Sequence, residues 1–211
     1  MVINTIKTEK TGRFILSRLP DEKTKNLFFL IHGYGQLASD FIQDFPFWDN
    51  EENLLIAPEG LSKFYSKGNI GASWMTKEDR ENEIEDYLKF LDAVSMLILD
   101  KMPFTPESIN ILGFSQGVHT ALRFAIHTYM KIDNLILCSS DIPKDADFKK
   151  FKKKIDEGMK CFYIYGNEDK AVRLENFEKS EEMLKRNEIK FERVVFEGGH
   201  EVNGDDICKL I

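Results

Sequence analysis

Cysteine is scarce in this chain: three residues, Cys138, Cys161 and Cys208, odd in number and unclustered. Such a set does not read as a disulfide frame, and no Cys/His spacing suits a zinc ion. The expectation is three small buried hydrophobes in a reduced compartment, with no metal site. No apolar run approaches the ~20 residues needed to span a bilayer. The opening Met-Val-Ile-Asn-Thr-Ile-Lys-Thr-Glu-Lys lacks the apolar core of an export signal, so a cytoplasmic protein without stable membrane insertion is expected. Positive charge is not in excess either. The formal net charge of −7 argues against a nucleic-acid-binding surface. Repeats, low-complexity tracts and Pro/Gly/Ser-rich linkers are missing, and the 211 residues read as one domain, 1–211. Histidine is limited to four positions, so any histidine-dependent chemistry has few candidates.

What is present is an alternation of strand and helix patterns. Arg13 to Leu19 reads as an early edge strand, and Leu27-Phe-Phe-Leu-Ile31 as a strand covered on both faces. Leu54-Leu-Ile-Ala57 is a third strand, stopped by Pro58-Glu-Gly60. Residues 59–78 read as a long connection rich in Gly, Ser and aromatics. A helix from about Arg80 to Lys101 follows, with Ile84, Tyr87, Leu88, Leu91, Val94 and Ile98 at the helical period. Ile109–Leu112 is a strand and Val118–Ala125 a helix packed on a sheet. Leu135–Cys138 is a strand and Asp145 to Ile155 a short helix. Cys161–Tyr165 is a strand, Arg173 to Arg186 a helix, Phe191 to Phe196 the last strand, and Asp205 to Ile211 a stub of helix. This order implies an α/β fold, a mostly parallel central sheet with helices on both faces. Ligands of such sheets bind beyond the carboxyl ends of the strands.

The segment Gly113-Phe-Ser-Gln-Gly117 sits at a strand–turn–helix junction, the context of a nucleophile elbow. A turn this tight leaves no room for side chains two positions either side of Ser115. A serine hydroxyl needs a base to take its proton and a third group to orient that base, in the chain order nucleophile, acid, histidine. His200, in Gly198-Gly-His-Glu201 after the last strand, fits the base. His32, His119 and His127 fit less well, and His32 reads as a hydrogen-bonding brace of its own loop. Asp169, in Gly166-Asn-Glu-Asp169, fits the acid. Its neighbour Glu168 faces the other way, and Asp141 is the alternative. The oxyanion of an acyl-transfer intermediate needs two preorganised donors. These are assigned to the backbone N–H groups of Gln116 and of Tyr34, the latter in His32-Gly-Tyr-Gly35. No Lys-Ser/Thr pair follows that Gly-rich turn, which excludes a P-loop.

With these residues in view, the chain resembles the phospholipase/carboxylesterase family of α/β-hydrolases, which includes the acyl-protein thioesterases. The resemblance rests on His32-Gly-Tyr-Gly35, Ala57-Pro-Glu-Gly60, Trp74, Gly113-Phe-Ser-Gln-Gly117, the Gly166–Asp169 turn and Gly199-His200, in family order over about residues 26–201. It implies an α/β-hydrolase fold with Ser115, Asp169 and His200 as the catalytic triad and Tyr34 and Gln116 as oxyanion donors. It also places Trp74 near the acyl pocket. Met75-Thr76 follow Trp74 where thioesterase members continue with an aromatic and an Asp, and Glu201 stands where Ser is frequent, so the substrate-side loops differ.

The interval 141–160 holds one short helix and cannot house a cap domain. That leaves a surface groove, with Trp74, Met75 and Tyr34 as candidate substrate-binding residues. Phe64, Tyr65, Trp74 and Met75 either wall this groove or pin their loop to the core. The lysines of 149–154 alternate with Phe148, Phe151 and Ile155 as on a surface helix; a membrane-docking patch is the alternative, opposed by the acidic whole. The expected function is that of a serine hydrolase, a carboxylesterase acting through an acyl-enzyme on small acyl esters. It needs no cofactor, and thioesters and lysophospholipids are within reach of the same chemistry. A non-catalytic relative used for binding is the alternative from another class, and an amidase or peptidase the alternative among hydrolases. Nothing in the sequence separates monomer from homodimer.

Overall fold

The structure, a computed structural model, describes residues 2–211. Seven strands form the main sheet in the order β1-β3-β2-β6-β7-β8-β9. They are β1 (Phe14–Leu16), β2 (Asn26–Ile31), β3 (Asn53–Pro58), β6 (Ser108–Phe114), β7 (Asn134–Cys138), β8 (Lys160–Gly166) and β9 (Glu192–Phe196). Only β1 runs antiparallel, pairing Phe14 with Pro58 and Leu16 with Ile56 at the edge. The other pairings are parallel, and each parallel step carries its crossover over a face of the sheet.

Alternation along the strands divides the core between those faces. Leu27, Phe29 and Ile31 of β2 join Ile109 and Ile111 of β6 under the long helices α2 (Arg80–Lys101) and α3 (Gln116–His127). On the same face lie α4 (Phe148–Asp156) and α5 (Leu174–Arg186). Phe28 and Leu30 point the other way, with Leu112 and Phe114, toward Phe41 of α1 (Ala38–Phe41), Trp48 and α6 (Gly204–Ile207). At the amino ends of the strands, Asn53, Asn26, Ser108, Asn110 and Asn134 join side chain to side chain across the sheet, at 2.7–3.0 Å. That ladder satisfies polar groups at the end of the sheet opposite the candidate site. Between β7 and β8 there is only α4, so no cap domain covers the carboxyl ends. Phe151 and Ile155 of α4 are buried, while Lys152 and Lys153 pair with Asp156 and Glu157 on its outer face.

Two expectations change. Residues 59–78 are not one irregular connection: β4 (Ser62–Ser66) and β5 (Asn69–Ser73) form an antiparallel hairpin outside the main sheet. Its sequence is too polar and too Gly-rich to read as strand, and the hairpin is fixed by tertiary contacts. Gly35 N–H donates to Ala72 O at 2.8 Å, and a Cβ on Gly71 would lie 2.8 Å from Gly35 O. The expected burial holds for Cys138 and Cys161, whose thiols burial pushes up to about 12. Cys208 is exposed, because the closing helical turn presents it to solvent.

Candidate active site

The elbow is a strained turn. Ser115 has φ 51° and ψ −122°, a conformation a non-glycine residue keeps only when its surroundings enforce it. They do so from two sides. Ser115 N–H donates to Cys138 O of β7 at 2.9 Å, so the turn is pinned across the sheet. On the other side, a Cβ on Gly117 would stand 2.1 Å from Ile31 O and 2.7 Å from His32 O, and one on Gly113 would stand 2.4 Å from Gly117 O. The glycines are there because the backbones of β2, β6 and α3 meet at this point.

Two loops converge on the hydroxyl. Asn167 N–H donates to Phe196 O and Glu168 N–H to Gly198 O, at 3.0 and 2.9 Å, which ties the turn after β8 to the turn after β9. On this support Asp169 directs one carboxylate oxygen to the N–H groups of Ala171 and Val172, at 2.8 and 2.9 Å. The other oxygen lies 2.8 Å from His200 Nδ1, and His200 Nε2 lies 2.9 Å from Ser115 Oγ. The carboxylate only accepts, so Nδ1 carries the imidazole proton and Nε2 is free to accept from the serine hydroxyl. The Asp169 side chain is 1% exposed and His200 26%, so the chain of bonds runs from the interior to the surface. Glu168 is exposed, facing away. Asp141 is engaged elsewhere, through its backbone and carboxylate oxygens with His119 Nε2, at 3.0 and 3.3 Å.

The loop after β2 adjoins Ser115, since a Cβ on Gly33 would lie 3.2 Å from Ser115 Cβ. Gln116 N–H is the first of α3 and has no helical acceptor. In the turn after β2, Gly33 N–H is taken by Gln36 Oε1 and Gly35 N–H by Ala72 O, whereas Tyr34 N–H takes no partner among the described residues. The Tyr34 ring is exposed and stacks on Phe64 of the hairpin, with centroids 4.9 Å apart.

The remaining candidates sit behind and beside the elbow. Trp74 is buried; its indole Nε1 donates to His32 O at 2.9 Å, and its ring packs on His32 at 5.0 Å. Met75 is half-buried. The Gln116 side chain binds this segment in three places, accepting from Trp74 N–H at 3.1 Å and donating to Ser73 Oγ and Met75 O at 3.0 Å. Sequence reasoning gave Gln116 only a backbone role, because its side-chain partners lie about forty residues away in a segment read as loop. Glu59 was missed as well. Its side chain, 1% exposed, pairs with Arg13 at 2.6 Å and accepts from Ala38 N–H at 3.2 Å. It thereby fixes the start of α1 and the loop that carries Tyr34. The available signal was a lone carboxylate within Pro58-Glu-Gly60.

His32 is a brace. Its Nε2 accepts from Gly60 N–H at 2.9 Å, so Nδ1 holds the proton and donates to Gly33 O at 2.7 Å. Burial pushes its pKa below the free value of 6.5, with nearby Glu59 offsetting part of that. Below that value the unfolded chain takes up a proton that the folded chain refuses, so His32 contributes stability above pH 6.5 that is lost on acidification. The NMR signal of the His32 ring is expected to move to its charged position at a lower pH than that of a free imidazole. An ordinary titration would show that the Gly60 bond does not hold the ring neutral.

Beside His200 lies a cavity of about 360 Å³ lined by Gln36, Asp44, Phe114, Glu201 and Val202. Burial, with Asp40 nearby, pushes the Asp44 carboxyl up. The described residues contain no cluster able to hold a metal ion and no helix long and apolar enough to cross a membrane.

Comparison with known proteins identifies the family and the fold. The family model described as phospholipase/carboxylesterase matches residues 15–211. No curated protein matches. Among solved structures, esterase PE8 superposes with a TM-score of 0.72 at 23% identity, over 96% of this chain and 97% of that one. Acyl-protein thioesterase 2 of Zea mays gives 0.66 at 17% identity, over 94% and 97%. The carboxylesterase of Bacillus cereus gives 0.67 at 16% identity, over 94% and 91%. At these identities the likeness is one of fold.

Proposed function

The chain belongs to the phospholipase/carboxylesterase family of hydrolases, and from that premise we propose that it cleaves carboxylic esters through an acyl-enzyme on Ser115. The observation that carries this reading is the hydrogen-bonded line from Asp169 through His200 to Ser115, at 2.8 and 2.9 Å. Ser115 Oγ attacks the acyl carbon while His200 Nε2 takes the hydroxyl proton. Asp169 holds the ring in the required tautomer and stabilises the imidazolium that forms. The carbonyl oxygen, now negative, lies between the N–H groups of Gln116 and Tyr34, each such donor contributing about 3 kcal/mol to lowering the barrier. Collapse of the tetrahedral intermediate expels the alcohol, which takes the proton from His200. Water, deprotonated by the same nitrogen, then releases the acid. Met75 and the Tyr34 ring flank the groove, and Trp74 holds the Met75 segment from behind.

The cavity beside His200 favours small esters without a phosphate group. Apart from His200 its charged lining is two carboxylates, with no lysine or arginine, so a phosphorylated leaving group would meet like charge. Hydrolysis of p-nitrophenyl esters from C2 to C12, run beside a lysophospholipid and an acyl thioester, tests this. The expected outcome is kcat/KM highest at short chains, with the lysophospholipid at least about tenfold poorer, a difference of about 1.4 kcal/mol in the barrier. A maximum at long chains, or preference for the phospholipid, would contradict it.

A further inference from the structure

A larger cavity, of about 610 Å³, lies away from Ser115, between the amino-terminal segment, the base of the hairpin and α2. Its floor is Phe14, Leu61, Trp74, Phe90 and Val94, and none of the residues lining it belongs to the elbow or to the Asp169 and His200 loops. The volume is within the range of about 300–1,000 Å³ typical of small-molecule sites. The walls are packed, not loose: a Cβ on Gly12 would stand 2.4 Å from the Phe90 ring, so the incoming segment rests directly on α2.

We propose that this cavity is a second ligand site, for an uncharged amphiphile: a hydrocarbon chain ending in a hydroxyl or ester group. The apolar, aromatic floor suits the chain. The rim settles the charge of the head. Lys10 and Lys89 stand against Glu83 and Asp86, which cancel, and the Thr8 hydroxyl and the acceptor side of the Ser62 hydroxyl remain to hydrogen-bond. Two of the rim charges are already committed. Lys89 pairs with Glu85 on the next turn, and Glu83 accepts from Ser62 Oγ at 3.1 Å and from Thr76 Oγ1 at 2.8 Å. A charged head would have to break those pairs, whereas an uncharged one would not. The occupant would touch the outer side of Trp74, whose inner side contacts His32 and whose N–H is held by Gln116.

Two tryptophans, Trp48 and Trp74, make this testable by emission, since Trp48→Phe leaves Trp74 as the sole reporter. Trp48→Phe protein is titrated with 1-octanol, octanoate and octylammonium, and calorimetric titration of the wild-type chain with the same three probes provides a readout independent of that substitution. Saturable binding of octanol is expected, weakened at least about tenfold by Ala93→Phe, which fills the cavity from an exposed position of α2. Octanoate and octylammonium are expected to bind more weakly than octanol. Leu97→Phe, on the same rim, provides a second filling variant should the first fail to fold. Absence of saturable binding, an octanol midpoint unmoved by both filling variants, or tighter binding of either charged probe would overturn the proposal.

Discussion

Ser115→Ala is expected to lower kcat for ester hydrolysis by about 10⁴–10⁶-fold while leaving the protein folded. The hydroxyl is half-exposed at the mouth of the site and supports no packing, and the strained backbone at φ 51° is enforced by Cys138 O and the Gly117 contact, which alanine retains. His200→Ala is expected to cost a comparable amount, and the double variant little more than either alone, because a nucleophile without its base and a base without its nucleophile are equally idle. Asp169→Asn is expected to lose about 10⁴-fold. Its carboxylate both accepts from His200 Nδ1 and closes its own loop on Ala171 and Val172, and an amide satisfies those demands only by presenting an N–H to one donor or the other. Steady-state kinetics beside thermal unfolding checks all four variants. Additive losses in the double variant would mean that the two residues do not act on one proton.

Gly117→Ala is expected to be the most damaging single methyl group in the molecule. Its Cβ would meet Ile31 O at 2.1 Å and His32 O at 2.7 Å, backbone atoms of a central strand and of the loop bearing Tyr34. Neither can yield without breaking the β2–β6 pairing, so a cost of about 3 kcal/mol or more is expected, which lowers Tm by roughly 6–12 °C in a chain of this size. Activity is expected to fall beyond the loss of folded protein, since any relief moves Tyr34 N–H relative to Gln116 N–H. Gly199→Ala is the control. Nothing lies within 4 Å of its added Cβ and its backbone is not left-handed, so a change within about 0.5 kcal/mol is expected although it adjoins His200. Equal damage at both positions would show that glycine loss in general, not the crossing of α3 over β2, destabilises the protein.

These expectations rest on residues that differ in how far they can be read from the chain alone. Ser115 follows β6 directly, Asp169 and His200 lie in the turns after β8 and β9, and a parallel sheet brings the carboxyl ends of its strands to one edge. Residues 85 and 31 positions apart are thus brought within hydrogen-bonding reach by topology. The strands themselves were legible because β2, β3, β6, β7 and β8 are buried on both faces and carry continuous apolar runs. The hairpin was not legible, since Ser62–Ser66 buries none of its residues and Asn69–Ser73 buries only the small Gly71, Ala72 and Ser73, so the two strands depend on each other and on Gly35. Helix α1 escaped notice for a related reason: it has four residues, no side-chain cap of its own, and an N–H satisfied by Glu59 from twenty-one positions away. The side chain of Gln116 was invisible because hydrogen bonding to Ser73, Trp74 and Met75 has no period and no local pattern. Such contacts become readable only when the segments that make them have been placed.

The measurement that bears most directly on Ser115 as nucleophile is its covalent capture by an active-site phosphonate. Intact-mass analysis after brief exposure to a fluorophosphonate is expected to show one adduct per chain, located on Ser115 by peptide mapping, with hydrolysis lost in step with labelling and no adduct on Ser115→Ala protein. An adduct at another residue, or an unlabelled chain that still hydrolyses esters, would contradict the account.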